Sequence, residues 1–225
     1  MTKPYVVLFD LDGTLIDSEP TAARAVLQCF EAWGILVDPQ HSQYVTGRTW
    51  KSALTYLSEK YPLPHSFDET MKRLLAQYRS ELEKNLVTVP GAVEAVLALA
   101  SVARLGLVSG SGREEILFAL DRLQVRDHFE IILGAEDYER SKPAPDGYAK
   151  ALHFLNGSPA NTLVFEDSTA GIESAKNIGL PVIAITSTNH FNQKIDHADE
   201  AIEDLKAVNA QWIRHFFESK ARAKA

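Results

Sequence analysis

A doubly wound, Rossmann-like α/β core around a parallel sheet, interrupted by an all-helical insertion, is the fold class the sequence predicts. Three observations lead there. Short uninterrupted apolar runs rich in β-formers recur along the chain. Amphipathic stretches at helical spacing separate them. One long segment after the first run carries helical patterns without a buried strand.

The first run, Tyr5-Val6-Val7-Leu8-Phe9, reads as a strand buried on both faces of a sheet. Leu105 to Val108, Thr162 to Phe165 and Val182 to Ile185 resemble it, and Glu130 to Leu133 is a weaker candidate. Between the runs, Val93, Val96, Leu97 and Ala100 repeat at helical spacing. So do Ile116, Leu117, Leu120 and Leu123, then Tyr148, Ala151, Leu152 and Leu155. In the insertion, from about Pro20 to Lys84, residues Ala22, Val26, Cys29, Phe30 and Trp33 share a face before Gly34 stops a helix. Asp68 is expected to open a later helix through Leu74, Leu75, Tyr78 and Leu82. The expected organisation is an α/β core of 1–16 and 89–225 with a helical domain of 17–88. The hinges are expected near Asp17 and Val87 to Gly91.

Composition narrows the function. Of 225 residues, 45% are hydrophobic and 24% charged, the balance of an ordinary globular protein. The 23 basic and 30 acidic residues leave a net charge of −7, which disfavours a nucleic-acid partner. Lys220, Arg222 and Lys224 form a short basic tail, read as solvated. Cys29 is the single cysteine, so no internal disulfide can form, and its spacing suggests core packing. No apolar run approaches the roughly 20 residues needed to span a bilayer, so no membrane partner and a cytoplasmic location are expected. The seven histidines form neither a His-x-x-x-His pair nor a cysteine partnership, which argues against zinc.

Chemistry concentrates where strands end. Asp10-Leu11-Asp12-Gly13-Thr14 puts two carboxylates at the ligand-binding edge of the sheet, where they repel each other without a cation. Asp-Gly also marks an Asx turn, yet an acid directly after five apolar residues is poorly explained that way. Ser109-Gly110-Ser111-Gly112 precedes a helix beginning near Arg113 and reads as an anion cradle or an N-cap turn. Ser141-Lys142-Pro143-Ala144-Pro145 presents a lysine on a loop stiffened by prolines, either solvated or placed to neutralise a bound phosphate. Leu163-Val164-Phe165-Glu166-Asp167-Ser168 again delivers two acids to the sheet edge. Asp167 or Ser168 is also able to cap the helix expected over Thr169 to Ile178. Asp10 and Asp167 together meet the needs of magnesium, which takes one or two carboxylates besides phosphate and water.

The order Asp10-Leu11-Asp12-Gly13-Thr14, Ser109, Lys142 and Glu166-Asp167 resembles the four motifs of the haloacid dehalogenase superfamily, over essentially the whole chain. Asp17-Ser18-Glu19, Lys142-Pro143-Ala144-Pro145-Asp146 and Glu166-Asp167-Ser168-Thr169-Ala170-Gly171 look like the branch of β-phosphoglucomutases and sugar-phosphate phosphatases. The resemblance implies that Asp10 attacks phosphorus to form an aspartyl phosphate, and that Asp12 protonates the leaving oxygen and then activates water. It implies that Ser109 and neighbouring amides, Gly110 among them, hold the phosphoryl oxygens while Lys142 offsets charge. Mg²⁺ would bind Asp10, the Asp12 carbonyl and Asp167, with Glu166 an outer or alternative ligand. The helical insertion corresponds to the family's cap domain, which would close over the site and supply substrate contacts. The implied partner is a small phosphorylated metabolite, the chain acting as a monomer or small oligomer.

Within that superfamily, Asp12 and the Glu166-Asp167 pair argue against dehalogenation, which needs no acid for a halide and no metal for phosphate. A phosphosugar mutase would use the same aspartates, but its branch carries a histidine in Asp-Ser-Glu-Pro-Leu-His where this chain reads Asp17-Ser18-Glu19-Pro20-Thr21-Ala22. Arg48 and Lys51 are candidates for gripping an anionic substrate, or simply a solvated helix start. Tyr44, Trp50 and Tyr56 touch substrate or pack the insertion. An aspartyl-phosphate receiver module also uses clustered acids and a lysine, but it would lack the insertion, and its acids lie on separate strands.

Overall fold

The structure is a computed structural model and describes residues 3–42, 44, 49–190 and 192–223. It divides into two compact units, Met1–Ile16 with Thr88–Ala225, and Asp17–Val87.

The first unit is built on a six-stranded, all-parallel sheet. Its strands are β1 (Tyr5–Phe9), β2 (Ala103–Val108), β3 (Phe129–Leu133), β4 (Thr162–Glu166), β5 (Val182–Ile185) and β6 (Glu200–Ile202), in the spatial order β3-β2-β1-β4-β5-β6. The chain leaves β1 for β2 and β3, then returns to the other side of β1 as β4. The β1/β4 seam is therefore the switch point at which such sheets open a crevice beyond their carboxyl ends. Pairing of Phe9 with both Leu107 and Phe165 sets the ends of β1, β2 and β4 level. The phenyl rings of Phe9 and Phe165 stack at 5.2 Å and lock that register.

Helices α5 (Ala92–Leu99), α6 (Arg113–Leu123), α7 (Asp146–Phe154), α8 (Thr169–Lys176) and α9 (Ala210–Ala223) complete the unit. One sheet face, with Val6, Leu8, Val164 and Val182, packs against Tyr148, Ala151 and Leu155 of the α7 region and Ile172 of α8. On the other face, Trp212 of α9 lies on Phe165, and Phe217 stacks on Tyr5.

Two elements depart from expectation. The strand β6 is a three-residue edge with Glu200 and Ala201 exposed, too short and polar for an apolar run to reveal it. The C-terminal helix α9, which no expected pattern marked, buries Ile213, Phe216 and Phe217; of the basic residues read as solvated, Arg222 is exposed, Lys220 donates to Asp199 at 3.0 Å, and Lys224 lies outside the described residues.

The second unit is helical, comprising α1 (Glu19–Ala32), α2 (Pro39–Ser42), α3 (Trp50–Lys60) and α4 (Phe67–Lys84). Gly34, at φ 76°, follows α1, and Cys29 is buried as its spacing suggests. The start expected at Asp68 falls one residue earlier, because the Ser66 hydroxyl accepts from Glu69 N and makes Ser66 the cap. Of the aromatic candidates, Trp50 packs on Tyr78 at 5.0 Å and Tyr44 stacks on Tyr56 at 3.7 Å. A cleft beside α3 is lined by Tyr44, Lys51, Ser52, Thr55, Tyr56 and Glu59. No helix among the described residues is long and apolar enough to cross a membrane.

Candidate active site

Three strand ends and one loop supply the site, all within the α/β unit. β1 ends at Phe9, and the next residue, Asp10, donates its amide to Phe165 O at 3.0 Å, which continues the sheet pairing and directs Asp10 to the β1/β4 seam. The end of β4 contributes Glu166 and Asp167. Asp10, Glu166 and Asp167 are 5, 0 and 3% exposed, and each offers a carboxylate oxygen within 4.8 Å of the others.

Lys142 reaches this cluster from the loop before α7. Its ammonium donates to Asp10 Oδ1 at 2.5 Å, Glu166 Oε1 at 2.5 Å and Val108 O at 3.1 Å. The loop is pinned on both sides. Arg140 pairs with Asp146 at 2.7 Å, Ser174 donates to Ala144 O at 2.7 Å, and Asn177 donates to Pro143 O at 3.2 Å.

Glu166 is saturated with donors. Besides Lys142, its Oε1 accepts from the Tyr148 hydroxyl at 3.0 Å, and its Oε2 accepts from Asp167 N, Ser168 N and Ser168 Oγ at 2.9 to 3.0 Å. These contacts make Glu166 the anchor of the lysine, while it still offers a carboxylate oxygen within 4.8 Å of those of Asp10 and Asp167. The Ser168 hydroxyl also caps α8 by accepting from Gly171 N at 3.0 Å. Two glycines make the packing possible. A Cβ on Gly171 would collide with the Glu166 carboxylate, and one on Gly13, at φ 78°, would collide with that of Asp167.

Asp12 stands slightly apart, with its Oδ2 accepting from Ser111 Oγ at 2.6 Å and Ser109 Oγ at 3.2 Å. Ser109 Oγ in turn accepts from Ser111 N at 3.0 Å, and Tyr138 OH donates to Ser109 O at 2.7 Å. Gly110 lies between them, with open space where a Cβ would sit.

Charge is out of balance here, since Asp10 and Glu166 share one ammonium and Asp167 lies beside them. Burial pushes the Asp10 carboxyl well above the usual range, and Glu166 and Asp12 add to this against the pull of Lys142. Burial would raise Glu166 too, but Lys142 and the Ser168 donors outweigh it and hold Glu166 below the usual range. Burial would lower the Lys142 ammonium, but Asp10 and Glu166 hold it well above its usual value. Tyr148 is raised by burial and by Glu166, and burial pushes Tyr138 up to about 12, so both phenols remain donors. Clustered oxygen donors carrying excess negative charge suit a hard divalent cation.

Asp10, Lys142, Glu166 and Asp167 thus meet at one point, and Asp12 and Ser109 are joined to each other. Arg48 lies outside the described residues. Sequence reading singled out neither Ser111 as a partner of Asp12 nor Tyr148 as a partner of Glu166. The Ser-Gly-Ser turn carried a hint of the first, whereas the helical spacing of Tyr148 showed only a core position.

Comparison with known proteins accords with this arrangement. The family model described as haloacid dehalogenase-like hydrolase matches residues 7–185. The chain belongs to that family, and its enzyme class is phosphoric monoester hydrolase. It is similar to validoxylamine A 7′-phosphate phosphatase of Streptomyces hygroscopicus subsp. limoneus, 34% identical over 90% of this chain and 95% of that protein. It is also similar to a phosphorylated carbohydrates phosphatase of Thermotoga maritima, 29% identical over 77% of this chain and 81% of the relative. The fold matches a crystal structure of β-phosphoglucomutase from Clostridium difficile with TM-score 0.80 and 20% identity, covering 98% of this chain and 99% of the other.

Proposed function

We propose that the protein is a Mg²⁺-dependent phosphatase of small phosphorylated metabolites, sugar phosphates foremost, acting through an aspartyl phosphate on Asp10. The observation that carries this reading is the Lys142 ammonium bridging Asp10 and Glu166 beside Asp167 at the sheet's switch point.

In the first step an Asp10 carboxylate oxygen attacks phosphorus and the ester P–O bond breaks, while Asp12 gives its proton to the departing oxygen. In the second, Asp12 takes a proton from water, which attacks the aspartyl phosphate and releases inorganic phosphate and free Asp10. Ser109 and the Gly110 amide orient the phosphoryl oxygens. Lys142 lowers the repulsion between carboxylate and anionic ester, work that a fixed, buried cation does without reorganising. Asp10, Asp167 and the Asp12 carbonyl would hold Mg²⁺, which supplies further charge neutralisation when bound. The absence of a side chain at Gly13, where a Cβ would collide with the Asp167 carboxylate, supports this assignment, as does the cluster of acidic oxygens.

The helical unit, 17–88 in the sequence reading, is assigned the part of a cap that selects the leaving group. A relative named as a phosphorylated carbohydrates phosphatase supports a sugar phosphate. Ala22, in place of the mutase histidine, favours transfer to water over transfer to a second sugar oxygen. We place the enzyme in the cytoplasm, since a chain with a single cysteine needs no oxidising compartment.

The test is phosphate release from a panel of sugar, polyol and nucleotide monophosphates, with Mg²⁺ and with chelator, beside Asp10→Asn. Metal-dependent release that the variant loses is expected. Isomerisation of glucose 1-phosphate with little free phosphate would instead establish a mutase, and a phosphoprotein persisting for hours a signalling module.

A further inference from the structure

The helical spacing of Tyr148 gives it a place in the core, and its ring is indeed fully buried against Glu166 and Lys142. Packing requires the ring but not the hydroxyl. That hydroxyl donates at 3.0 Å to Glu166 Oε1, the oxygen that also accepts from Lys142. The Lys142 ammonium in turn lies 5.0 Å from the ring centroid, within range of cation–π attraction. One side chain therefore touches both members of the ion pair.

The shared oxygen decides what the hydroxyl does. Glu166 Oε2 is held by three donors from the turn between β4 and α8, so the carboxylate has no freedom to turn. On Oε1, the hydroxyl and the ammonium divide the negative charge between them. With part of that charge taken by Tyr148, Lys142 is left to share itself with Asp10. Without the hydroxyl, Glu166 would draw the ammonium toward itself and away from Asp10. Phenylalanine would keep the volume, the buried area and the cation–π attraction, so the oxygen alone separates the two residues.

We propose that Tyr148 is a positioning residue which, through Glu166, keeps Lys142 bridged to Asp10 for phosphoryl transfer. The proposal rests on the phosphatase reading above.

The experiment compares the full-length wild type and Tyr148→Phe in Mg²⁺, measuring phosphate release from p-nitrophenyl phosphate and from the best sugar phosphate of the panel. A drop in kcat of about tenfold is expected, the size associated with one hydrogen bond to a charged group. KM should stay within about twofold, because Tyr148 is fully buried. In a Glu166→Gln background, Tyr148→Phe should cost little more, since the hydroxyl then serves an uncharged oxygen. An unchanged kcat in Tyr148→Phe, a loss expressed in KM, or the same tenfold loss in both backgrounds would overturn the proposal while leaving the phosphatase reading intact. If Glu166→Gln does not fold, the division between kcat and KM in the single variant decides. A wild type that releases no phosphate from any monoester overturns both.

Discussion

Replacing Lys142 with methionine isolates the charge that the site depends on. Methionine keeps most of the stem volume and removes the ammonium, which lies 2.5 Å from both Asp10 and Glu166. The three side chains are 12, 7 and 0% exposed, so water does little to replace the lost cation. Removing one member of a buried pair costs about 3–5 kcal/mol. Asp10 bears a smaller share of this, because its carboxyl is already pushed up by burial and is able to shed its charge. Glu166 keeps its hydrogen bonds to Tyr148, Asp167 and Ser168. The cost therefore falls at the lower end, about 3 kcal/mol. For a chain of this size, a loss of that order lowers the melting temperature by about 6–12 °C.

The dependence on pH has a definite sign. Glu166 is held below the usual carboxylate range in the folded state, so its stabilising contribution is present above the unfolded value, about 4.3, and is lost as pH falls through the folded value. The deficit of Lys142→Met should thus be largest at neutral pH and shrink below about pH 4. Thermal unfolding of metal-free protein at pH 7 and at about pH 3 measures it. A fall under about 2 °C at neutral pH, or a deficit indifferent to acid, would refute the ion-pair account.

Three further outcomes follow from the same geometry. Ser111→Ala removes the shorter of the two hydroxyl contacts to Asp12 Oδ2 and should lower kcat about tenfold, with melting unchanged, in the phosphate-release assay. Gly171→Ala drives a Cβ into the Glu166 carboxylate and should destabilise by about 1–3 kcal/mol in denaturant titration, the usual cost of overpacking. Asp199 accepts from Val182 N, Lys176 and Lys220 at 2.8 to 3.0 Å; burial raises its carboxyl, but these donors outweigh burial and hold it low. Its contribution is present above about pH 4 and is lost as acid protonates it, so Asp199→Asn should lower the melting temperature at neutral pH and flatten the fall below pH 4.

Much of the fold could be read directly from the chain. A strand buried on both faces must be apolar throughout, and Tyr5–Phe9, Thr162–Glu166 and Val182–Ile185 each betray themselves in this way. β6 pairs only by its backbone at a sheet edge, and such pairing leaves no apolar signature. The terminal helix α9 was hidden for a different reason, since its apolar residues Ile213, Phe216 and Phe217 are few among polar ones and need the sheet beneath them to make sense.

The chain by itself determined which chemical groups the site contains. Asp10, Asp12, Glu166 and Asp167 follow immediately after or near apolar strands, and covalent continuity carries them to the sheet edge wherever those strands lie. Tertiary structure alone decided their pairings. Lys142 meets Asp10 across 132 positions of sequence, and Glu166 joins them because β4 returns beside β1, a strand order that local periodicity does not encode. The same placement makes Glu166 the anchor of a lysine, gives Asp12 to Ser111, and brings a core tyrosine against an ion pair. Hydrogen bonds depend on ångström-scale distances and direction, and those are fixed only once the sheet, its crossovers and its glycine turns have closed around them.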